Sequence, residues 1–288
     1  MLADLKGKVS DRTRLHVYRV LHRALNVAVR WKVVARNVCD AVEAPKCDEP
    51  DMYVLSADEV DRILQAVRGE LLPPPKPRKK PLGEAQEKAL IEERRRLYPL
   101  FLTAIHTGMR MGELLGLRWE DVDLEAGVAW VRQTLEKPGK QPVFGTPKNR
   151  RFRGVPLADQ VVEALKTLRV DQELERAAFG PDYHDYGLVF CQPDGRPIYE
   201  RSLNRNAWKQ IRAAAGLPEN VRLHDLRHTF VSRALAAGAN PRAVSDMVGH
   251  HDAGFTLRRY AHSLSSDRVD AAHRLAEYLD RKREDPES

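Results

Sequence analysis

"VRLHDLRHTF", residues 221–230, gathers His224, Arg227 and His228 within five positions. On an α-helix these three fall within about 100° of one another, with Leu226 and Phe230 on the opposite side. Three readings fit the stretch taken alone. The first is a solvated helix face with a capping histidine. The second is a zinc site: His224 and His228 stand four apart, Asp225 occupies the place of the base in H-E-x-x-H, and His250 or His251 would add a third ligand. Against it, Asp is shorter than Glu, and Arg227 would set a permanent cation beside the metal. The third is a phosphate clamp, in which the fork of Arg227 grips two oxygens while His224 donates or accepts a proton. That clamp requires a second arginine, a proton donor for the leaving oxygen and a nucleophile.

The surroundings favour a polyanionic partner. The chain has 288 residues with 48 Lys and Arg against 41 Asp and Glu, a net charge of +7, which suits a surface that neutralises phosphates. Hydrophobic residues make up 42%, enough for a substantial core. Cys39, Cys47 and Cys191 form neither a CxxC nor a disulfide framework, so a reducing, cytoplasmic setting is expected. No apolar run is long enough to span a membrane, and no signal-peptide pattern opens the chain.

Residues 11–36 place Leu15, Leu21, Leu25, Ala28 and Val29 among basic residues, the pattern of one or two amphipathic helices. "APKCDEPDMYV" (44–54) reads as a linker. Directly after it, Ser56 and Glu59 fit a capping box, with Leu55 and Val60 as its hydrophobic staple. "PPPKPRKKP" (73–81) predicts an extended charged loop, and "GEAQEKALIEERRRLYPL" a return to helix. Two further helices follow, broken at Gly108. Residues 127–157, rich in Val, Gly and Pro, predict short strands of a small antiparallel sheet. Helices are expected at about 158–178, 199–215 and 265–282. Gly238 and Asn240–Pro241 mark the end of one more helix and the start of the next.

"HTGMRMGELLGLRWEDVD" (106–123), "GTPKNRRFRGVPL" (145–157), "LHDLRHTF" (223–230) and "MVGHHDAGFTLRRYAH" (247–262) occur in that order. The set resembles the tyrosine recombinases, the phage-integrase family. The resemblance implies a mainly α-helical catalytic domain with a small antiparallel β-sheet, preceded by a helical core-binding domain, the two closing as a clamp on duplex DNA. The division it implies is a partial core-binding domain at 1–46, a linker at 47–54 and a catalytic domain at 55–288, with an insertion near 73–96. Only about 45 residues precede the linker, so a weakened hold on DNA or its site is expected.

The same resemblance implies the site. Arg110 and Arg227 bind non-bridging oxygens of the scissile phosphate, and Glu113 supports them. Lys148 acts as general acid, with Arg150, Arg151 and Arg153 as DNA-contacting cations. His224 contacts the phosphate or handles the nucleophile's proton, and His250 donates to a non-bridging oxygen. Tyr260 is the nucleophile, giving a 3′-phosphotyrosyl enzyme without metal, other cofactor or ATP. His228 is read as scaffold. Double-stranded DNA is the expected partner, and the 265–282 helix is expected either to dock on a neighbouring protomer of a homotetramer, as the resemblance implies, or to pack within its own chain. A type IB topoisomerase, an inactive DNA-binding relative and, more remotely, a zinc hydrolase are the competing functions.

Overall fold

A computed structural model describes residues 5–47, 52–73, 83–137, 141–147, 152–250 and 253–260. The chain divides into two compact units, Met1–Met52 and Tyr53–Ser288. In the first, the amphipathic stretch forms one helix, α1 (Asp11–Arg30), capped by the Ser10 side chain. The turn behind it is tied to the helix by polar contacts. The Asn37 amide donates to the His22 carbonyl (3.0 Å) and to Asn26 Oδ1 (2.9 Å), and the Tyr18 hydroxyl donates to the Cys39 carbonyl (3.2 Å).

The second unit opens with α2 (Ala57–Val67), and its start is the expected reciprocal cap. Ser56 Oγ accepts from the Glu59 amide (3.1 Å), while Glu59 Oε2 accepts from the Ser56 amide (2.8 Å). Of the 73–96 insertion, residues 74–82 lie outside the described residues, and Glu84–Arg95 forms helix α3, as its own sequence predicts. Helix α4 (Tyr98–Thr107) buries Leu100, Phe101, Leu102, Thr103, Ala104 and Thr107, residues from every side of it, so it runs through the core. It ends at Gly108, and α5 (Met111–Leu115) begins three residues later.

The valine- and glycine-rich region folds as two small antiparallel sheets rather than one. Strands β1 (Val122–Asp123), β2 (Val128–Val131) and β5 (Arg153–Pro156) pair in the order β1-β2-β5, and β3 (Thr134–Lys137) pairs with β4 (Val143–Gly145). Helix α6 (Asp159–Phe179) follows at its expected place.

Residues 199–215 do not form one regular helix. A short turn, α7 (Glu200–Ser202), leads into a π-helical segment, Leu203–Trp208, and then α8 (Lys209–Ala214). Leu203 and Trp208 are both buried and five residues apart. In an α-helix that spacing sets them about 140° apart, whereas the wider π turn brings them closer to one face. Trp208 stacks on Phe101 of α4, with ring centroids 6.0 Å apart.

Helix α9 (Asp225–Ala236) packs on α4, and α10 (Pro241–Val248) packs on α9, on β5 and on α11 (Ala253–Tyr260). Asn240 caps α10, with Pro241 in its first turn. The 265–282 helix expected from the sequence lies outside the described residues. Among the described residues no helix is long and apolar enough to cross a membrane.

Candidate active site

Residues 221–230 do not form a wholly solvated face: His224 is exposed, His228 is half-buried and Arg227 is buried. His224 sits at the N-cap, one residue ahead of α9, and Arg227 is only 4% exposed. Asp225, itself buried, fixes the turn by accepting from the Arg222 amide (2.7 Å) and guanidinium (2.9 Å). The back of α9 is fastened to the start of the unit. Thr229 Oγ1 accepts from the Leu55 amide (3.0 Å), and Arg233 donates to the Leu55 carbonyl (2.8 Å).

Two guanidiniums from distant parts of the chain enter the same site, each steered by a glycine carbonyl. Arg227 Nη1 donates to the Gly108 carbonyl at 2.7 Å, and Arg110 Nη2 donates to the Gly249 carbonyl at 2.8 Å. Both glycines end helices in the left-handed conformation, which turns the chain sharply behind α4 and α10. Burial, followed by the charge of Arg110, pushes Arg227 down to about 9. It still carries its charge at neutral pH, in a place that strongly favours an anion.

Glu113 lies beneath Arg110, 2% exposed. Its Oε1 accepts from Arg110 Nη1 (2.9 Å) and its Oε2 from the Arg110 amide (2.9 Å). Burial alone would raise this carboxyl, but Arg153 and then Arg110 hold it below the ordinary range. Arg153, expected at the DNA surface, is turned inward instead, its side chain only 11% exposed. It donates to both Glu113 oxygens (2.6 and 3.2 Å) and to the Met247 carbonyl (2.8 Å). The reason is electrostatic: a buried carboxylate recruits the nearest available guanidinium.

Tyr260, at the end of α11, is 1% exposed. Its hydroxyl shares a 2.5 Å hydrogen bond with His228 Nδ1, so the histidine set aside as scaffold touches the expected nucleophile. Burial raises the Tyr260 pKa, and Arg227 and Arg259 work against that rise. His250 lies nearly parallel to the Tyr260 ring at 6.3 Å and shares a 2.6 Å hydrogen bond with Thr256 Oγ1. His224 meets His228 edge-on at 4.8 Å. All three imidazoles are pushed toward the neutral form. For His228 (about 4), desolvation leads and His224 follows; for His250 (about 3), desolvation leads and Arg227 follows. His224 is lowered by desolvation and then by Arg227.

Among the described residues no three of His, Cys, Asp and Glu converge to hold a metal ion. The structure therefore brings Arg110, Glu113, His224, Arg227, His250 and Tyr260 into one region, and adds His228 and Arg153. Lys148, Arg150, Arg151 and His251 lie outside the described residues.

The phage integrase family model matches residues 54–267. A XerC-like tyrosine recombinase of Caldanaerobacter subterraneus is 31% identical, over 94% of this chain and 67% of the relative. The prophage integrase IntR of Escherichia coli is 34% identical over 62% of this chain and 46% of its own length. A XerC recombinase of Xanthomonas campestris is 30% identical over 80% and 57%. The chain thus spans about half to two thirds of these relatives. Among solved structures, the Tn1549 transposon integrase in complex with a circular intermediate DNA superposes with a TM-score of 0.72, over 96% of this chain and 82% of that one, at 20% identity. A lambda integrase dimer bound to a core site gives 0.58 over 88% and 77%, at 18% identity. At these identities the structural likeness is one of fold, and the fold is a mainly helical integrase catalytic domain with small antiparallel sheets. With the family model covering most of its length, the chain belongs to the phage integrase family of tyrosine recombinases.

Proposed function

We propose that this chain breaks and rejoins DNA at a specific site through a 3′-phosphotyrosyl intermediate. The observation that carries the reading is the meeting of a buried tyrosine hydroxyl, its imidazole partner and two guanidiniums in one region. Tyr260 Oη attacks the scissile phosphorus as the bond to the 5′ oxygen breaks, and Lys148 gives that oxygen its proton. Arg110 and Arg227 neutralise the charge spread over the non-bridging oxygens, with His250 as a further donor. The phenol is mostly protonated at neutral pH, and the neutral Nδ1 of His228 accepts its proton as the new bond forms. His224 contacts the phosphate. The phosphotyrosyl ester retains the phosphodiester's bond energy, so rejoining requires no ATP, and the two arginines supply the charge that a metal ion supplies elsewhere.

DNA is the substrate in this reading, supported by the basic balance and by the DNA held in the Tn1549 and lambda integrase structures. Arg150 and Arg151 would contact the backbone. The sequence of residues 265–282 supports exchange of a C-terminal helix between protomers of a tetramer. The deciding experiment incubates the chain with pools of nicked half-site DNA, traps covalent adducts in denaturant and sequences the bound strands. The wild type yields an enriched site, and Tyr260→Phe yields no adduct. An adduct that persists in Tyr260→Phe, or one abolished by chelators, overturns the assignment. Relaxation of supercoils without a partner site moves it to a type IB topoisomerase.

A further inference from the structure

Arg153 occupies a position that the proposed chemistry leaves unexplained. It is the first residue of β5, two positions after the 148–151 segment that carries Lys148. Its guanidinium closes a ring of contacts across three elements. Arg153 grips both oxygens of Glu113 at 2.6 and 3.2 Å, and Glu113 grips Arg110 at the side chain and the backbone amide. Arg110 donates to the Gly249 carbonyl just past α10, and Arg153 Nε returns to the Met247 carbonyl two residues earlier. The fit leaves little slack, because a Cβ on Gly249 would lie 2.8 Å from Arg153 Nη1.

A carboxylate held by one guanidinium can pivot about it. One held between two, with both oxygens engaged, is fixed in plane and direction. We propose that Arg153 is a positioning residue for Arg110. It locks Glu113 in the orientation that aims the Arg110 fork at the phosphate. It also ties β5, the strand that follows residues 148–151 in sequence, to that same carboxylate. Arg153 does not itself touch the DNA. The inference rests on the recombinase reading above, in which Arg110 neutralises a non-bridging oxygen.

The test is single-turnover cleavage of a nicked half-site oligonucleotide taken from the trapped pool. One version carries a normal scissile phosphodiester, the other a methylphosphonate in which a methyl group replaces one non-bridging oxygen and its charge. Arg110→Met should be slow on the phosphodiester and largely relieved on the neutral linkage. Arg153→Met should behave like it, slower by about 100-fold on the phosphodiester and relieved in parallel, with unchanged DNA affinity. Arg153→Lys keeps the charge and the fold but loses the fork, and should fall between Arg153→Met and wild type. If Arg153→Met, or Arg153→Lys should the former not fold, slows both linkages equally, the residue is only structural and the inference falls. A salt slope of DNA binding reduced by about one contact would make Arg153 a direct phosphate ligand and also overturn it. If Arg110→Met itself gains nothing from the neutral linkage, the assignment of Arg110 fails, and the inference with it.

Discussion

Arg227 and Arg110 each lean on the carbonyl of a glycine whose φ is positive, +59° at Gly108 and +67° at Gly249. An L-residue in that conformation costs about 1–2 kcal/mol, and at both positions an added methyl also meets packed side chains. At Gly249 the obstacle is Arg153 and at Gly108 it is Phe230. Gly249→Ala should therefore lower stability by about 1–2 kcal/mol in urea titration and disturb Arg110 as well. An unchanged midpoint would show that the turn tolerates a side chain. The imidazoles set the acid response. His228 and His250 have folded pKa values of about 4 and about 3, below an unfolded value of about 6.5. As pH falls below about 6.5 the unfolded chain takes up protons that the folded chain refuses, so stability is present above that pH and is lost toward about 4. The thermal midpoint should drop steadily across this window, with a shallower slope in His228→Gln. A midpoint level from about pH 7 to pH 4.5 would refute neutral burial of these rings.

At the scale of the element, the helix ends were the most legible features of the sequence. Ser56 with Glu59, Asn240 with Pro241, and Gly108 act through partners at most a few residues away, so their spacing alone specifies the geometry. The cap on α2 is further tightened by Tyr53, whose hydroxyl donates to Glu59 Oε1 at 2.7 Å. Ser56→Ala removes the acceptor for the Glu59 amide and should cost about 1 kcal/mol, read from the denaturant midpoint at constant slope. Loss of much less would mean that Glu59 and Tyr53 hold the turn alone. The π turn at Leu203–Trp208 was not legible in the same way. Periodicity reports a helix there, but the partner against which the widened turn seats Trp208, Phe101 of another helix, lies about a hundred positions away and outside any local pattern.

For the whole molecule, the net charge of +7 carries a prediction about association. If DNA phosphates are the partners, affinity for the trapped half-site should fall by about 10³–10⁵ between 50 and 200 mM salt, for some six to ten contacts. A flat response in a binding titration would remove the DNA reading. The sequence by itself determined the family and the order of most described elements, and it nominated the candidate site residues, because motif blocks and caps are local patterns. Tertiary structure alone decided what those residues touch. Arg227 meets Gly108 across 119 positions and Arg110 meets Gly249 across 139. His228 meets Tyr260 across 32 and Arg153 meets Glu113 across 40. Read along the chain, His228 was a spare imidazole and Arg153 one cation of a basic loop. Folding buried a tyrosine hydroxyl and a carboxylate beside them, and buried polar groups must find partners, so the imidazole went to the tyrosine and the guanidinium turned inward.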